Sequence, residues 1–351
     1  TGLQTLAEAA ERAGESYPWR DEDWLRYLLP DLFVGDGERR ALIIGPSEAR
    51  EDLLYERLDS AFPGVRHIQG AQSMGTLEDA LLLLEYLEHA HGADALPDRI
   101  ILGTTPRFVS SIRRGTRSPL AMAINRYSPE YRVVRSREGP RLVRKDQWDG
   151  IAARIRFAGK QPDRYRAAVC ATLLRAFPQH DAADGAAPAG GGPIARLARG
   201  LDRCRSPYRW HGAPPLERDE LEGWLKDPTS FWSATRRWNP DVDAKRIVPE
   251  LRRLRAFAER HGITLHLVNL PEHPLFRNSF PPARYQGYLR LLQQGLGNVP
   301  CLNLHTALSA SEFFDLGHAT LPGAIRVTDL TIEFIRQHEA RTRNLGAVGT
   351  R

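Results

Sequence analysis

Short apolar runs alternate with longer amphipathic ones along much of the chain. Ala41-Leu42-Ile43-Ile44 is too brief for a helix and ends at Gly45-Pro46, which predicts a buried strand. Over residues 48–62 the apolar positions Leu53, Leu54, Leu58 and Phe62 keep helical spacing, and Pro63-Gly64 stops the run. Residues 65–68 predict a second strand, 76–91 a strongly apolar helix and 99–102 a third strand ending at Gly103. The alternation resumes late in the chain, with a helix over 246–261 closed by Gly262, a strand over 263–268, a helix over 285–296, an extended segment over 299–304 and a helix over 321–338. Strands and helices of these lengths in alternation predict an α/β fold, a doubly wound parallel sheet flanked by helices. Sheets of that kind place ligands at the carboxyl ends of their strands. Chemistry is therefore sought at residues 45–47, 69–75, 103–105 and 269–273, and at the turn near Asp315.

Between residues 111 and 245 the pattern lapses, and the segment reads as a mainly helical insertion or lid. Within it, 164–177 and 194–201 have helical character, 181–193 is a flexible loop centred on Gly190-Gly191-Gly192, and Trp210, Trp224, Trp232 and Trp238 cluster. Residues 1–40 read as a polar helical extension anchored by Trp19, Trp24 and Tyr27, and 341–351 as a tail. The α/β domain would then comprise 41–110 and 246–340.

Composition narrows the classes. The chain has 351 residues, 42% of them apolar, which suits a packed domain and excludes disorder throughout. No apolar run reaches the roughly 18 residues of a membrane-spanning helix. The chain starts at Thr1, which leaves open a removed signal or anchor, and so the compartment. A net charge of +6 invites nucleic acid as a partner, yet 45 of the 49 basic residues are arginines scattered along the chain, and the densest run, residues 132–145, reads as a solvated face. No nucleic-acid partner is expected. Cys170, Cys204 and Cys301 are too few and too scattered for a disulfide framework. The histidines show no metal-ligand spacing, and neither a phosphate loop nor a dinucleotide fingerprint occurs, so no metal and no cofactor are expected.

Two places carry candidate chemistry. Ser47 stands where a strand ends against a helix start, a position that holds a hydroxyl at the sheet rim among backbone donors; the ordinary alternative is an N-cap. Asp315 precedes His318 by three residues on a turn ahead of a helix, where a carboxylate can fix an imidazole tautomer and leave the other nitrogen to take a proton from serine. Capping is again the ordinary alternative. The two places gain weight together, because the first and last crossover loops of a doubly wound sheet can meet at one rim.

These residues resemble the SGNH (GDSL-like) hydrolase superfamily, whose first block is a strand followed by Gly-x-Ser and whose last is Asp-x-x-His. Here the matching residues are Gly45-Pro46-Ser47 and Asp315-Leu316-Gly317-His318. The chain looks most like the branch that serves cell-envelope acyl transfer, which includes alginate acetyltransferase proteins and the teichoic-acid D-alanyl-transfer protein. Supporting it are residues 43–50, Leu267-Val268-Asn269-Leu270-Pro271-Glu272-His273-Pro274, and Phe313-Phe314 before the last block. The resemblance covers 41–110 and 246–340 and leaves the middle third uncovered. It implies a flavodoxin-like, SGNH-type sheet, with Ser47 as nucleophile, His318 as general base and Asp315 orienting it. The backbone N–H of Ser47 and a glycine after the second strand, Gly75 in preference to Gly70, would form the oxyanion hole. Pro46 replaces the usual Asp or Ser, a side chain that does no chemistry. The oxyanion asparagine after the third strand has no counterpart; Thr105 is nearest to its position, and losing such a donor costs about 100- to 1000-fold in turnover. The envelope branch often lacks that asparagine, which tilts the expectation toward transfer.

Asn269, Glu272 and His273 lie just past a strand end, where they could orient an acyl donor or acceptor, although loop residues of this kind more often satisfy their own backbone. Arg50, one turn after Ser47, could meet an anionic substrate or form a salt bridge. The leading expectation is an O-acyltransferase working through a Ser47 acyl-enzyme, its partners an acyl donor and a carbohydrate or lipid acceptor. By resemblance alone, a membrane-bound acyl-transfer partner and an extracytoplasmic place would follow. The alternatives are an esterase or deacetylase of the same fold, and a non-catalytic glycan-binding or assembly protein whose middle tryptophans grip sugar rings.

Overall fold

A computed structural model of the chain describes residues 39–72, 75–110, 120–121, 124–125, 131–136, 139–145 and 214–348. Of the helical extension expected over 1–40, residues 39–40 are strand and the rest lies outside the described residues, as do the expected elements at 164–177, 181–193 and 194–201, with Cys170, Cys204 and Trp210.

Five parallel strands form the main sheet: β1 (Arg39–Ile44), β2 (Val65–Gln69), β3 (Arg99–Thr104), β6 (Thr264–Asn269) and β7 (Cys301–Asn303), in the order β2-β1-β3-β6-β7. Chain direction across the sheet reverses between β1 and β3, so the crevice at their carboxyl ends is the topological switch point. The central strands are apolar without alternation because both faces are covered. Leu42, Ile44, Ile100, Leu102, Leu265 and Leu267 point into one core with the helices α3 (Leu77–His91), α7 (Pro240–Arg260) and α9 (Pro282–Leu296). Ile43, Ile101 and Val268 point into the other, with α1 (Ser47–Asp52), α2 (Tyr55–Ala61) and α10 (Leu321–Val348). The short helices α4 (Pro106–Ser110), α5 (Arg218–Lys226), α6 (Phe231–Arg237) and α8 (Pro274–Ser279) gather near the carboxyl ends of the strands, where Leu221, Leu225, Trp232, Phe276 and Leu316 form a third apolar cluster. No helix among the described residues is long and apolar enough to cross a membrane.

The structure differs from the sequence reading in several places. The single helix expected over 48–62 is two, α1 and α2, because Thr328 of α10 enters the break: its Oγ1 accepts from Leu54 N at 3.0 Å and donates to the Asp52 carbonyl at 3.1 Å. A side chain that takes over ladder partners ends a helix whatever its local periodicity. The insertion expected to be mainly helical carries an antiparallel ribbon, β4 (Tyr131–Ser136) with β5 (Gly139–Arg144), and the basic run at 132–145 falls largely on it. Helix α7 begins at Pro240 rather than 246, with Asn239 as its N-cap, its side chain accepting from Asp241 N. Helix α10 continues to Val348, through most of the segment expected to be a tail.

Candidate active site

The β1–α1 turn is set by steric necessity at Gly45. Its φ is +149°, and a Cβ there would lie 2.5 Å from the Gly103 carbonyl oxygen and 2.9 Å from Ala49 Cβ. Glycine lets the chain leave β1 pressed against β3, and Ser47 follows as the first residue of α1. Opposite, the turn between β7 and α10 is wound about one carboxylate. Asp315 Oδ1 accepts from Gly317 N and His318 N, both at 2.8 Å, and Oδ2 meets His318 Nδ1 at 2.7 Å. His318 Nε2 lies 2.8 Å from Ser47 Oγ, closing a chain of hydrogen bonds between residues 271 positions apart. All three residues are nearly out of solvent, at 7%, 6% and 8% exposure for Ser47, Asp315 and His318.

The electrostatics suit proton transfer. Burial pulls the His318 imidazole down, but the charge and hydrogen bond of Asp315, helped by Glu48, outweigh it and leave its pKa raised. Burial pushes Asp315 up, yet His318 and the two backbone donors overcome it and hold the carboxyl at about 2. An ionised Asp315 fixes hydrogen on Nδ1 of the neutral ring, so Nε2 is free to accept from Ser47. Asp52 accepts from Ala319 N at 2.9 Å and so anchors the residue after His318; burial raises its pKa well above the ordinary value.

Glu48 and Arg107, to which the sequence reading assigned no role at the site, converge on the same hydroxyl. Arg107 Nη2 donates to Ser47 Oγ at 3.2 Å and forms a buried ion pair with Glu48 Oε2, which itself lies 3.2 Å from Ser47 Oγ. The guanidinium is backed by Phe231 and Trp232 of α6, with Cζ 5.0 and 4.6 Å from the ring centroids. The available signal was Arg107 as the first cation after β3, two residues beyond Thr105. Without a way to know that α6 would cover it, nothing marked it out among 45 arginines.

Other expected residues have different placements. Gly70 N donates to the Ile43 carbonyl at 2.6 Å and Gly75 N to the Gln72 carbonyl at 3.1 Å, so both amides are engaged within the loop beside β1. Thr105 Oγ1 accepts from Phe108 N at 3.1 Å, capping α4. Asn269 is fully buried: its amide donates to Tyr285 Oη and Asn303 Oδ1, and its oxygen accepts from Tyr288 Oη at 2.9 Å. It ties β6, β7 and α9 together and is not a substrate contact. His273 Nδ1 accepts from Leu275 N at 3.1 Å as the cap of α8, its backbone N–H donates to the Leu316 carbonyl, and its ring packs on Phe313; it braces the Asp315 turn from behind. Glu272 is buried with Oε2 3.1 Å from His305 Nε2, and burial raises its pKa. Arg50 gives its guanidinium to Glu51 at 3.0 Å, both buried, which is the salt-bridge alternative. Trp232 and Trp238 are core residues, and Trp224 is half-buried, so the first two present no open face to a sugar ring. Among the described residues no group of three or more His, Cys, Asp or Glu side chains could hold a metal ion.

A model of an uncharacterised protein family matches residues 244–339, which run from α7 through the Asp315–His318 turn into α10. No curated protein matches the chain.

Proposed function

We propose that the protein is a serine-dependent enzyme of acyl groups, with Ser47 as nucleophile, His318 as general base and Asp315 as the carboxylate that orients it. The observation that carries this reading is the unbroken Oγ–Nε2–Nδ1–carboxylate series at the switch point of a parallel sheet, with contacts of 2.8 and 2.7 Å. More particularly, we infer an O-acyltransferase of SGNH type, resembling the cell-envelope branch. Supporting it are the Gly-x-Ser turn after β1, the Asp-x-x-His turn before α10, and a sheet order in which the first and last crossovers share one rim.

In the first half-reaction Ser47 Oγ bonds to the carbonyl carbon of an ester or thioester as its proton passes to His318 Nε2, and the C=O π pair moves onto oxygen. Collapse of that adduct expels the alcohol or thiol, which leaves with the proton from Nε2. In the second half an acceptor hydroxyl gives its proton to Nε2 and attacks the acyl-serine, and collapse of the second adduct breaks the bond to Ser47 Oγ, which takes the proton back from Nε2. With a carbohydrate or lipid hydroxyl as acceptor the outcome is transfer; with water it is hydrolysis, the esterase reading. A membrane-bound donor partner belongs to the same proposal.

The test is labelling by a serine-directed fluorophosphonate, followed by acetyl-ester turnover with and without sugar acceptors. Expected are labelling lost in Ser47→Ala and acyl products on the sugar at the expense of free acid. Ser47→Ala retaining label and turnover would end the reading. Glycan binding without any Ser47-dependent label would favour a binding protein instead.

A further inference from the structure

A donor to the developing oxyanion beyond the Ser47 amide is the remaining gap in that scheme. An acyl adduct on Ser47 needs fixed N–H groups around its oxygen. Of the groups expected to supply them beside the Ser47 amide, the Gly70 and Gly75 amides donate to the Ile43 and Gln72 carbonyls, and Thr105 Oγ1 accepts from Phe108 N as the cap of α4. One long side chain from α4, the short helix after β3, does reach the nucleophile: Arg107, with Nη2 3.2 Å from Ser47 Oγ.

The geometry points to Arg107 as a catalytic residue that binds the substrate carbonyl oxygen and stabilises its negative charge in the tetrahedral adduct, in the place of the missing asparagine. This inference rests on the acyl-serine reading above. The adduct oxygen shares a carbon with Ser47 Oγ, so a donor already in contact with Oγ needs little movement to reach it. The guanidinium is held for the task on three sides, by the Glu48 carboxylate in a buried ion pair and by the faces of Phe231 and Trp232. A planar fork with several N–H groups can keep its bond to Glu48 while offering another to the adduct.

The pairing also indicates the substrate class. Arg107 comes with its charge already balanced by Glu48, and the buried Glu272 carboxyl senses both of them electrostatically. A carboxylate or phosphate beside the scissile bond would meet Glu48 before finding an unpaired cation. The site therefore selects uncharged acyl groups, for which only the oxygen becomes anionic, and only in the adduct.

Arg107→Met alone leaves a buried carboxylate uncompensated and endangers the fold, so the decisive comparison adds the double variant Glu48→Gln/Arg107→Met, which removes both charges. Acylation is read with p-nitrophenyl acetate and with the fluorophosphonate, and adduct binding with a phenylboronic acid, at a pH where His318 is neutral in every variant. Expected for the double variant is a native thermal transition, with acylation rate and boronate affinity both down about 100- to 1000-fold. A double variant that recovers to within threefold of wild type would show Arg107 to be merely the counter-ion of Glu48 and overturn the proposal, as would lost acylation with unchanged boronate affinity. In charge selection, p-nitrophenyl acetate should be preferred at least tenfold over the mono-p-nitrophenyl ester of succinate, and equal rates would refute that part. Labelling independent of Ser47 would instead remove the acyl-serine reading itself, an outcome that Ser47→Ala reports separately.

Discussion

Asp315→Asn tests the site through its charge. In the folded protein the Asp315 carboxyl is held at about 2 against an ordinary 3.8, which favours the folded state by about 2 kcal/mol when the group is ionised. The sign follows from a depressed folded pKa: the contribution is complete above the unfolded value, near 4, and is lost as pH falls through about 2. The raised His318 pKa reflects the same contact from the other side, with stability present at low pH and lost as pH rises through the folded value, so the two are not added. Asparagine keeps the shape but turns one acceptor into a donor, which opposes either the backbone N–H groups or the ring N–H. If the amide faces Nδ1, the neutral ring carries its hydrogen on Nε2 and cannot accept from Ser47. Denaturant unfolding of wild type and variant should show a gap of about 2 kcal/mol at about pH 5, where Asp315 is ionised and His318 still charged, that shrinks between about pH 4 and pH 2. Fluorophosphonate labelling at pH 7 should fall by a factor on the order of ten thousand. A gap independent of pH, or labelling within tenfold of wild type, would refute the reasoning.

Glu48→Gln removes a charge that raises the His318 pKa, so the rise of acylation rate with pH, which requires neutral imidazole, should move to lower pH; an unchanged pH–rate profile would contradict the placement of Glu48. Thr328→Val should cost about 1–3 kcal/mol in unfolding free energy, since Leu54 N and the Asp52 carbonyl lose their buried partner; a stability within a few tenths of wild type would show that the α1–α2 break satisfies itself. Gly45→Ala places a methyl group 2.5 Å from the Gly103 carbonyl at a φ that other residues avoid. It should lower stability by about 1–3 kcal/mol or more and reduce Ser47 labelling, with near-native behaviour in both assays as the contrary result.

What the sequence by itself determined were features written in neighbouring residues. Apolar runs too short for helices located the strands, with Cys301–Asn303 shorter than its expected 299–304, and glycines at strand ends marked β1 and β3. Asp315 and His318, three positions apart, already implied a hydrogen-bonded turn, because such a turn needs only local chain geometry. What tertiary structure decided was everything requiring two distant segments to meet. Helix 48–62 broke because Thr328, from the far end of the chain, offered its hydroxyl to the ladder. Asn269 moved from the site into the core because Tyr285 and Asn303 took both its N–H donors and Tyr288 donated to its oxygen. Arg107 and Glu48 entered the site because the crevice between β1 and β3 brought them onto one hydroxyl beneath Phe231 and Trp232. Periodicity reports how a segment covers its own face. Which partner completes a buried polar group depends on packing across the sheet, and spacing along the chain carries no record of that.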